Sequence, residues 1–561
     1  ILMSASGASG SGNAVAGTVN VLVTNSETIA AVGDYARITA EGNVEIKAAS
    51  DSKMVTVLAG LAGSAGSGAA VGATISVNVF NRLTEARVGT NAVIISKAGS
   101  VLVQALSNDW TLVITAAGGA SASGTAVSGN IQTTVAQNKT NALIGDYTKV
   151  TAYDSVGIVA DHTSHIYLAA PTVAVSGGGA GVGATITTAV LRNEVNAGAG
   201  NNTDIQAYAL AIGSEAGILT SNRQQRRKGI VISALGAEDI LMLGIGASGA
   251  SSAAVSGVVD TLVVMNKVNA KVGNNARMRS GTRPSDDKDG DGNADGKSSS
   301  GDIDVEAEDD SVIYNFGGAV AVSAGSAGVG ATIVTLVFDK EVKASIGTGG
   351  ETNATGDINV NASAEDDLYL VAVTFSAASS ASVGLGASVL IFMNEVTAEM
   401  GGNVTAYGDI NVNAASDEFL LNIAASVSVG GNAGVGGAAV VTYFSGKTIA
   451  RVLAGAVVQA AGNMTVIADS KEFITADVAG VSGGGTAGVS GAVDIVITEV
   501  VTRAYTENAT GTADGVRITA GSLIIKAVDN YEFIGVSVTA AIGGTAGVGV
   551  NAMLTIAGNT V

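Results

Sequence analysis

A glycine-rich element followed by alternating apolar residues recurs ten times along this chain and constrains its fold more than any other feature. Its copies include GSGAAVGATISVNV around Val71, GGGAGVGATITTAV around Val182 and GSAGVGATIVTLV around Val329. One apolar residue marks each copy as an anchor: Val15, Val71, Val127, Val182, Val255, Val329, Leu385, Val435, Val489 and Val548. Most anchors lie about 55 residues apart, and a period in this range is typical of solenoids, propellers and repeat arrays.

A second element lies about half a period after the first and has the pattern of a strand. A glycine and a small polar residue precede strict alternation ending in alanine, as in GNVEIKA at 42–48 and GDINVNA at 356–362 and 408–414. Each repeat then has two strand-rich halves of about 23 to 28 residues, each close to one coil of a parallel β-helix. The sequence predicts an all-β parallel β-helix (β-solenoid) of about ten repeats of about 55 residues. With two coils per repeat, it would rise about 95 Å.

Three other architectures fit the repeat less well. A β-propeller has four to eight blades, whereas ten copies occur here. Separate β-sandwich domains need about 100 residues each. A run of stacked hairpins stays open, because GGG or GSAGSG could turn the chain back on itself.

No linker divides the chain, which has only two prolines among its 561 residues. We therefore expect residues 1–561 to form a single continuous solenoid region, with incomplete repeats at both ends. Two long steps between anchors indicate loop insertions at 195–228 and 277–301.

Composition excludes several classes of partner and site. The formal net charge is -20, and nucleic-acid binding needs a basic surface that this chain lacks. There is no cysteine, which excludes disulfides and thiol chemistry. The uncharged run at 371–393 is interrupted by Ser and Gly and recurs in other repeats, so we expect no transmembrane segment.

The strongest local motif lies in the second insertion and resembles a calcium loop. Its oxygen ligands fall at positions 1, 3, 5 and 9 with glycine at position 6, as in an EF-hand loop, although position 12 is Ser298 and not Glu. The predicted metal ligands for Ca²⁺ are Asp287, Asp289, Asp291, Asn293 (through its carbonyl) and Asp295. The alternative is a solvated acidic loop.

The first insertion contains a basic cluster of Arg223, Arg226, Arg227 and Lys228. Because both insertions precede the same type of strand in consecutive repeats, a solenoid would place them on one side. They would then touch each other or meet a neighbouring subunit. The alternative is two independent surface loops.

Three recurring sets of polar and aromatic residues could form ladders along a solenoid. An Asn or Asp follows each early glycine-rich strand, either as a hydrogen-bonded ladder or as a strand end: Asn25, Asn81, Asn138, Asn193, Asn266, Asp339 and Asn394. Acidic residues precede aromatics, as in Asp109-Trp110, Glu418-Phe419 and Glu472-Phe473, and we expect those rings to cap the core at the turns. The alternative is a stripe along one edge that binds sugars or cations. The two histidines, His162 and His165, should point to opposite faces of a strand and lie at the surface.

The alternation of (G/S)-G-x-A-G-V-G-A-x-(I/V) with G-D-(I/V)-x-V-x-A resembles the repeat regions of very large bacterial filamentous adhesins. These are the leukotoxin-like adhesins of fusobacteria and, more distantly, filamentous-haemagglutinin-type exoproteins. The resemblance covers nearly the whole chain and implies a right-handed β-helix shaft, export across the outer membrane and a role in attachment. It implies no catalytic residue and no particular receptor.

These observations predict a non-catalytic structural component of an extracellular filament or adhesin shaft on a bacterial cell surface. We expect it to self-associate into a fibre and to serve attachment to a cell-surface or glycan receptor. The alternatives are a carbohydrate-active β-helix enzyme and a toxin-like exoprotein fragment. No repeat departs from the pattern to gather the carboxylates and bases that such an enzyme needs.

Overall fold

The chain forms three parallel β-sheets that run through every coil of a solenoid. The computed structural model describes residues 1–212, 216–218, 226–283, 298–508 and 515–561, and these contain strands and turns without a helix. Within this described part, therefore, no helix could span a membrane. Each coil follows a long strand of the front sheet, turns at the tip, returns along the back sheet and crosses the base in a short strand.

The strand bounds show how similar the coils are. The front sheet consists of β1 (Leu2–Gly10), β4 (Val44–Ser64), β7 (Val101–Ser121), β10 (Val156–Ser176), β13 (Gly229–Ala250), β16 (Asp302–Ser323), β19 (Ile358–Ala378), β22 (Ile410–Gly430), β25 (Met464–Gly484) and β28 (Leu523–Gly543). The back sheet consists of β2 (Ala14–Val32), β5 (Ala70–Val88), β8 (Ala126–Ile144), β11 (Ala180–Ala199), β14 (Ala253–Val272), β17 (Ala327–Ile346), β20 (Ala381–Met400), β23 (Ala433–Val452), β26 (Ala487–Thr506) and β29 (Ala546–Thr560). The base sheet consists of β3 (Arg37–Ala40), β6 (Val93–Ser96), β9 (Lys149–Ala152), β12 (Asp204–Ala207), β15 (Arg277–Ser280), β18 (Glu351–Ala354), β21 (Asn403–Ala406), β24 (Val457–Ala460) and β27 (Arg517–Thr519).

The predicted all-β parallel solenoid is confirmed, but each repeat forms one coil and not two. Asn25 and Asn81 are 56 residues apart and bond to each other directly across neighbouring coils. The alternation that starts in a G-D element continues without a break through a 21-residue front strand such as β19. Such a strand is about 70 Å long, and ten coils about 4.8 Å apart rise about 45 Å instead of the predicted 95 Å.

The glycine-rich segments do turn the chain back, as the stacked-hairpin alternative required. The two strands that each turn joins, however, lie in different sheets and pair with the neighbouring coils. All ten glycine-rich elements begin back strands, and nine of the ten anchors pair in register. The exception is Leu385, because Val383 occupies the register position between Val329 and Val435.

Two apolar clusters fill most of the interior. The larger lies at the base, where all three sheets contribute small and branched residues such as Ile94, Val360 and Val404. The second lies closer to the tip and contains a stack of phenylalanines from three successive back strands. The ring centroids of Phe338 and Phe392 are 5.3 Å apart, and those of Phe392 and Phe444 are 5.0 Å apart.

At the tip the front and back sheets approach too closely for large side chains. A Cβ on Gly72 would lie 2.0 Å from the carbonyl oxygen of Gly118 in the facing sheet. Small polar residues bridge the remaining gap, as where Thr74 Oγ1 donates to the carbonyl oxygen of Ala116 at 2.7 Å. The interior of the tip is therefore narrow and partly polar, unlike that of the base.

Side chains at the turns of the base tie each coil to the next. In the turn before the front strand, Asp302 Oδ1 accepts from the backbone N–H of Asp357 at 2.9 Å. Asp357 Oδ1 accepts from the N–H of Asp409 at 2.8 Å, and Asp409 Oδ1 from that of Asn463 at 2.7 Å. The recurring G-D dipeptide thus supplies a side-chain cap for the following coil.

Both insertions leave their coils at the base, directly after a short strand of the base sheet. Residues 195–199 belong to β11 and 204–207 to β12, so the first insertion begins near residue 208 and not at 195. The second insertion follows β15 and occupies about 281–301. The hydroxyl groups of Thr282 and Ser299 both donate to the carbonyl oxygen of Tyr208, at 3.2 and 2.5 Å. The prediction that the insertions touch is therefore confirmed at their bases.

A buried polar column as the candidate functional site

Between the two apolar clusters, inward-facing polar side chains form a line that runs from coil to coil. The front and back strands place them there because one position of each alternating pattern carries a polar residue instead of Val, Ile or Leu. We call this set the polar column: Arg82, Asp109, Asn138, His162, Asn193, Glu238, Asn266, Asp309, Lys340, Asp366, Asn394, Glu418 and Glu472. Every member is at least nine-tenths buried.

The early coils contribute an ion pair and a histidine. Arg82 Nε lies 3.3 Å from Asp109 Oδ1, and Arg82 Nη1 donates to Asn138 Oδ1 at 3.3 Å. His162 Nδ1 lies 3.9 Å from Asp109 Oδ2. Burial lowers the pKa of His162, and the neighbouring charge of Asp109 opposes this shift. His162 is therefore a neutral interior residue, and the prediction of a surface position was wrong for it.

Asparagine ladders confirm the hydrogen-bonded alternative for five of the predicted residues: Asn25 and Asn81 on the outer face, and Asn138, Asn193 and Asn266 in the polar column of the middle coils. Asn138 Nδ2 donates to Asn193 Oδ1 at 2.9 Å, and Asn193 Nδ2 donates to Asn266 Oδ1 at 3.2 Å. Both Asn193 and Asn266 also donate to the carboxyl group of Glu238, at 3.0 and 2.7 Å. Burial and the charge of Asp309 raise the pKa of Glu238 well above its usual range.

Lys340 is the one fully buried lysine among the described residues and sits between two carboxylates. Its Nζ lies 2.7 Å from Asp309 Oδ2 and 2.7 Å from Asp366 Oδ1. Burial lowers the pKa of Lys340, but the charges of Asp309 and Asp366 outweigh it and raise the pKa above its usual value. Burial also raises the pKa of Asp366 to about 7 despite the lysine. The ammonium group and its two carboxylates thus form a compact ionic cluster whose side chains are fully buried.

Two glutamates in successive coils end the column. Asn394 Nδ2 donates to Glu418 Oε1 at 2.6 Å, and Ser470 Oγ donates to Glu472. Burial and the charge of Glu472 raise the pKa of Glu418 well above its usual range, and burial raises the pKa of Glu472 to about 8. Burial thus favours the protonated form of both carboxyl groups, in which each can donate as well as accept a hydrogen bond.

The chemistry available to the column is proton binding and electrostatic pairing inside a closed core. Because its members are buried, a substrate could reach them only after the sheets separated. In the described residues, no three His, Asp or Glu side chains lie together as metal ligands. The predicted calcium ligands, Asp287, Asp289, Asp291, Asn293 and Asp295, lie outside the described residues.

The acidic and aromatic residues that adjoin in sequence separate in the structure. Consecutive strand residues face opposite ways, so Asp109, Glu418 and Glu472 point inward while Trp110, Phe419 and Phe473 point outward. The predicted caps at the turns were therefore wrong. Instead, rings of neighbouring coils contact each other on the outer face of the front sheet, with Phe419 and Phe473 stacked at 5.4 Å. Strand alternation alone could have given this separation.

The basic cluster of the first insertion lies against an acidic strand of the next coil. Arg227 Nη1 lies 2.9 Å from both Asp304 Oδ2 and Glu306 Oε1 of β16. Burial raises the pKa of Asp304 to about 6, and Arg227 opposes this shift. Lys228 Nζ donates to the carbonyl oxygen of Ala211 at 2.6 Å, and Arg223 lies outside the described residues.

Comparisons with known proteins add no name to this architecture. No protein-family model matches the chain, and no curated protein and no solved structure is similar to it.

Proposed function

We propose that this chain is part of the shaft of an extracellular filament or adhesin on a bacterial cell surface, with a structural and not a catalytic role. The supporting observation is that three sheets continue through all coils in one register. In β19 and β22, for example, pairing extends without interruption from Ile358 and Ile410 to Ala378 and Gly430. Neighbouring coils are therefore bonded across almost their whole perimeter, which suits a load-bearing rod.

The polar column supports the same proposal, because it favours a single pairing register between neighbouring coils, as a regular shaft requires. A coil shifted by one residue would bring column members against apolar side chains and leave them without partners. Lys340, for instance, needs Asp309 in its own coil and Asp366, two register positions further along the front sheet, in the neighbouring coil. Repeats this similar could otherwise pair in several registers, and the column penalises the wrong ones.

Immunogold electron microscopy of the source cells tests the location and role. Antibodies raised against the purified chain should label filaments outside the outer membrane, at intervals along their length. Labelling confined to the cytoplasm would exclude the proposal. If the purified chain degraded a polysaccharide with saturating kinetics, the alternative of a carbohydrate-active enzyme would be favoured.

The attachment partner within this proposal is a cell-surface or glycan receptor. Binding of the purified chain to a glycan array and to host-cell surfaces would test it. A shaft without adhesive activity would bind neither, whereas antibody labelling of filaments would persist. The two parts of the proposal can therefore fail separately.

We also propose that Asp287, Asp289, Asp291, Asn293 and Asp295 bind Ca²⁺, on the ligand spacing alone. Titration calorimetry should detect one calcium ion per chain, and the double substitution Asp289→Asn with Asp291→Asn should abolish it. Substitution of the acidic surface residue Asp51 by Asn is the control and should leave binding unchanged. Equal heats for all three proteins would rule out this site.

A further inference from the structure

The outer face of the back sheet is apolar over the half that lies toward the tip. Five outward positions of each back strand form five rows along the solenoid. The third row is Val19, Ile75, Ile131, Ile186, Val259, Ile333, Ala387, Ala439, Val493 and Ala552. None of the five rows contains a charged residue. Large side chains are well exposed, including Ile186 at 43% and Ile333 at 44%. We call these rows the back apolar face.

The back apolar face points away from the front sheet, so no part of its own coil covers it. Nearest the tip, the inward positions of the same strand segments hold mainly small or polar residues, such as Thr185 and Thr187 in β11, although Leu336 of β17 is also buried beneath the face. Apolar side chains therefore lie outside and hydroxyl groups inside, the reverse of the base. A contiguous exposed apolar surface of this kind marks an interaction site.

The pattern of small and large side chains across the face, its relief, indicates what covers it. The second row is mainly Gly and Ala: Gly17, Ala73, Gly129, Ala184, Gly257, Ala331, Leu385, Gly437, Gly491 and Val550. The rows on either side are mainly Val and Ile, so a groove runs between two ridges. Ridges of one sheet fit such grooves of another in face-to-face sheet packing. A fluid layer of lipid chains would gain nothing from this relief.

The front sheet lacks the same relief. Its outward row at the corresponding height mixes sizes from coil to coil: Leu61, Gly118, Val173, Ala247, Val320, Phe375, Val427, Val481 and Ala540. A carboxylate, Asp477, also interrupts the apolar half of this sheet. Self-complementary packing is therefore favoured on the back sheet and not on the front.

We propose that the back apolar face binds the back apolar face of a second copy of this chain. The face measures about 26 Å along the strands and about 45 Å along the coils, hence about 1,200 Å² per copy. The interface would remove about 2,400 Å² from water, which is enough for a stable dimer. The pairing is lateral, so it goes beyond the shaft proposal and does not depend on where in the cell the protein is found.

Ile186→Lys and Val173→Lys form a matched pair of variants for the test. Both positions are outward and lie in the same coil, and the side chains are 43% and 47% exposed. Sedimentation equilibrium should give the wild type and Val173→Lys twice the chain mass of 54.7 kDa. Ile186→Lys should weaken self-association at least tenfold, because each copy would bury an unpaired charge. Circular dichroism checks that each variant keeps its strands.

A second measurement uses the absence of native cysteine. In Ile186→Cys, reaction with a maleimide should slow as protein concentration rises, whereas in Val173→Cys it should not. Several outcomes would overturn the proposal. These are a monomeric wild type, a dimer that only Val173→Lys dissociates, and an end-to-end polymer unaffected by Ile186→Lys. A monomer that floats with phosphatidylcholine vesicles would assign the face to lipid instead.

Discussion

The base half and the tip half of each coil share one alternating pattern but use it in opposite ways. At the base, β19 points Val360 and Ala362 inward and Asn359 and Asn361 outward. Toward the tip, the same strand points Thr374 and Ser376 inward and Val373 and Phe375 outward. The phase of the strand does not change. The two halves differ in which chemistry occupies the inward position, and in β19 the change comes after Leu370 and Ala372 of the second apolar cluster.

This difference shows that sheet spacing, and not hydrophobicity alone, decides what can be buried. The base is wide because a third sheet separates the two long ones, so it accepts Val, Ile and Met. The tip is narrow, because its glycines bring the two backbones almost into contact. Large apolar residues are therefore excluded from the tip interior and occur on its outer surface.

Removing the buried lysine of the polar column should have the largest effect on the stability of the protein. Lys340→Met should lower the free energy of unfolding by about 3–5 kcal/mol, because Asp309 and Asp366 would lose their shared partner. The control is Lys267→Met, whose ion pair with Glu341 at 2.7 Å is half exposed and should contribute at most about 1 kcal/mol. Urea unfolding at pH 7 measures both. Equal losses would show that the column is no more sensitive than the surface.

Adding a methyl group inside the narrow tip should destabilise the protein less than Lys340→Met does. It should still destabilise it far more than a methyl group added on the outer face. Gly72→Ala places a Cβ against the backbone of Gly118 and should lower the free energy of unfolding by about 1–3 kcal/mol. Gly318→Ala adds the same group on the outer face of the front sheet, where nothing lies within 4 Å. We expect no loss there. A neutral Gly72→Ala would contradict the close approach of the sheets.

The tip half also contains a buried carboxyl group that should make stability depend on pH. Burial raises the pKa of Asp260 to about 7, so the folded state holds a proton that the unfolded state releases above about pH 4. Its stabilising contribution is complete below pH 4 and is lost as pH rises towards about 7. Asp260→Asn should flatten this decline and stabilise the protein at pH 8 by about 1–2 kcal/mol.

Urea unfolding at several pH values measures the effect. Asp51→Asn at an exposed front-sheet position is the control and should leave the profile unchanged. An Asp260→Asn variant with the wild-type profile would show that this carboxyl group is ionised in the folded state.

The smallest effect should come from the insertion on the base side. Arg227→Ala removes contacts with Asp304 and Glu306 and should destabilise the insertion locally by about 1–2 kcal/mol. Limited proteolysis should then cut within 208–228 faster, while the midpoint of global unfolding stays within error. Arg277→Ala, which removes an exposed pair with Glu351, is the control. A large global shift would mean that the insertion supports the core.

The sequence predicted the class of fold because a ten-fold repeat with strand alternation allows few others. It did not predict the number of coils, because alternation continues through β19 without any signal of how the strand would be divided. Nor could it assign the inward face at the tip, where the anchor valines lie on the outside: Val15 is 69% and Val489 43% exposed. Alternation with a period of two shows that the two faces of a strand differ, but it does not show which face points into the core.

The candidate site was only partly predictable. Asn138, Asn193 and Asn266 could be recognised because an amide recurs at one register position. Lys340 and Glu238 could not, because the neighbouring coils carry other residue types at their register positions: Asn266 and Asn394 beside Lys340, and Ser164 and Ser311 beside Glu238. Each finds its partners on facing strands far away in sequence. Long-range pairing of this kind depends on the packing of the two sheets, which alternation alone does not specify.

The side-chain caps at the base turns restrict how such a protein can change its length. Since Asp302, Asp357 and Asp409 each bond the backbone of the following coil, removing part of a coil would break the chain of caps. Adding or removing a whole coil would leave it intact. Gene duplication in units of one coil would therefore lengthen the molecule without redesign, and shorter additions would be tolerated at the base turns, where the two insertions are found.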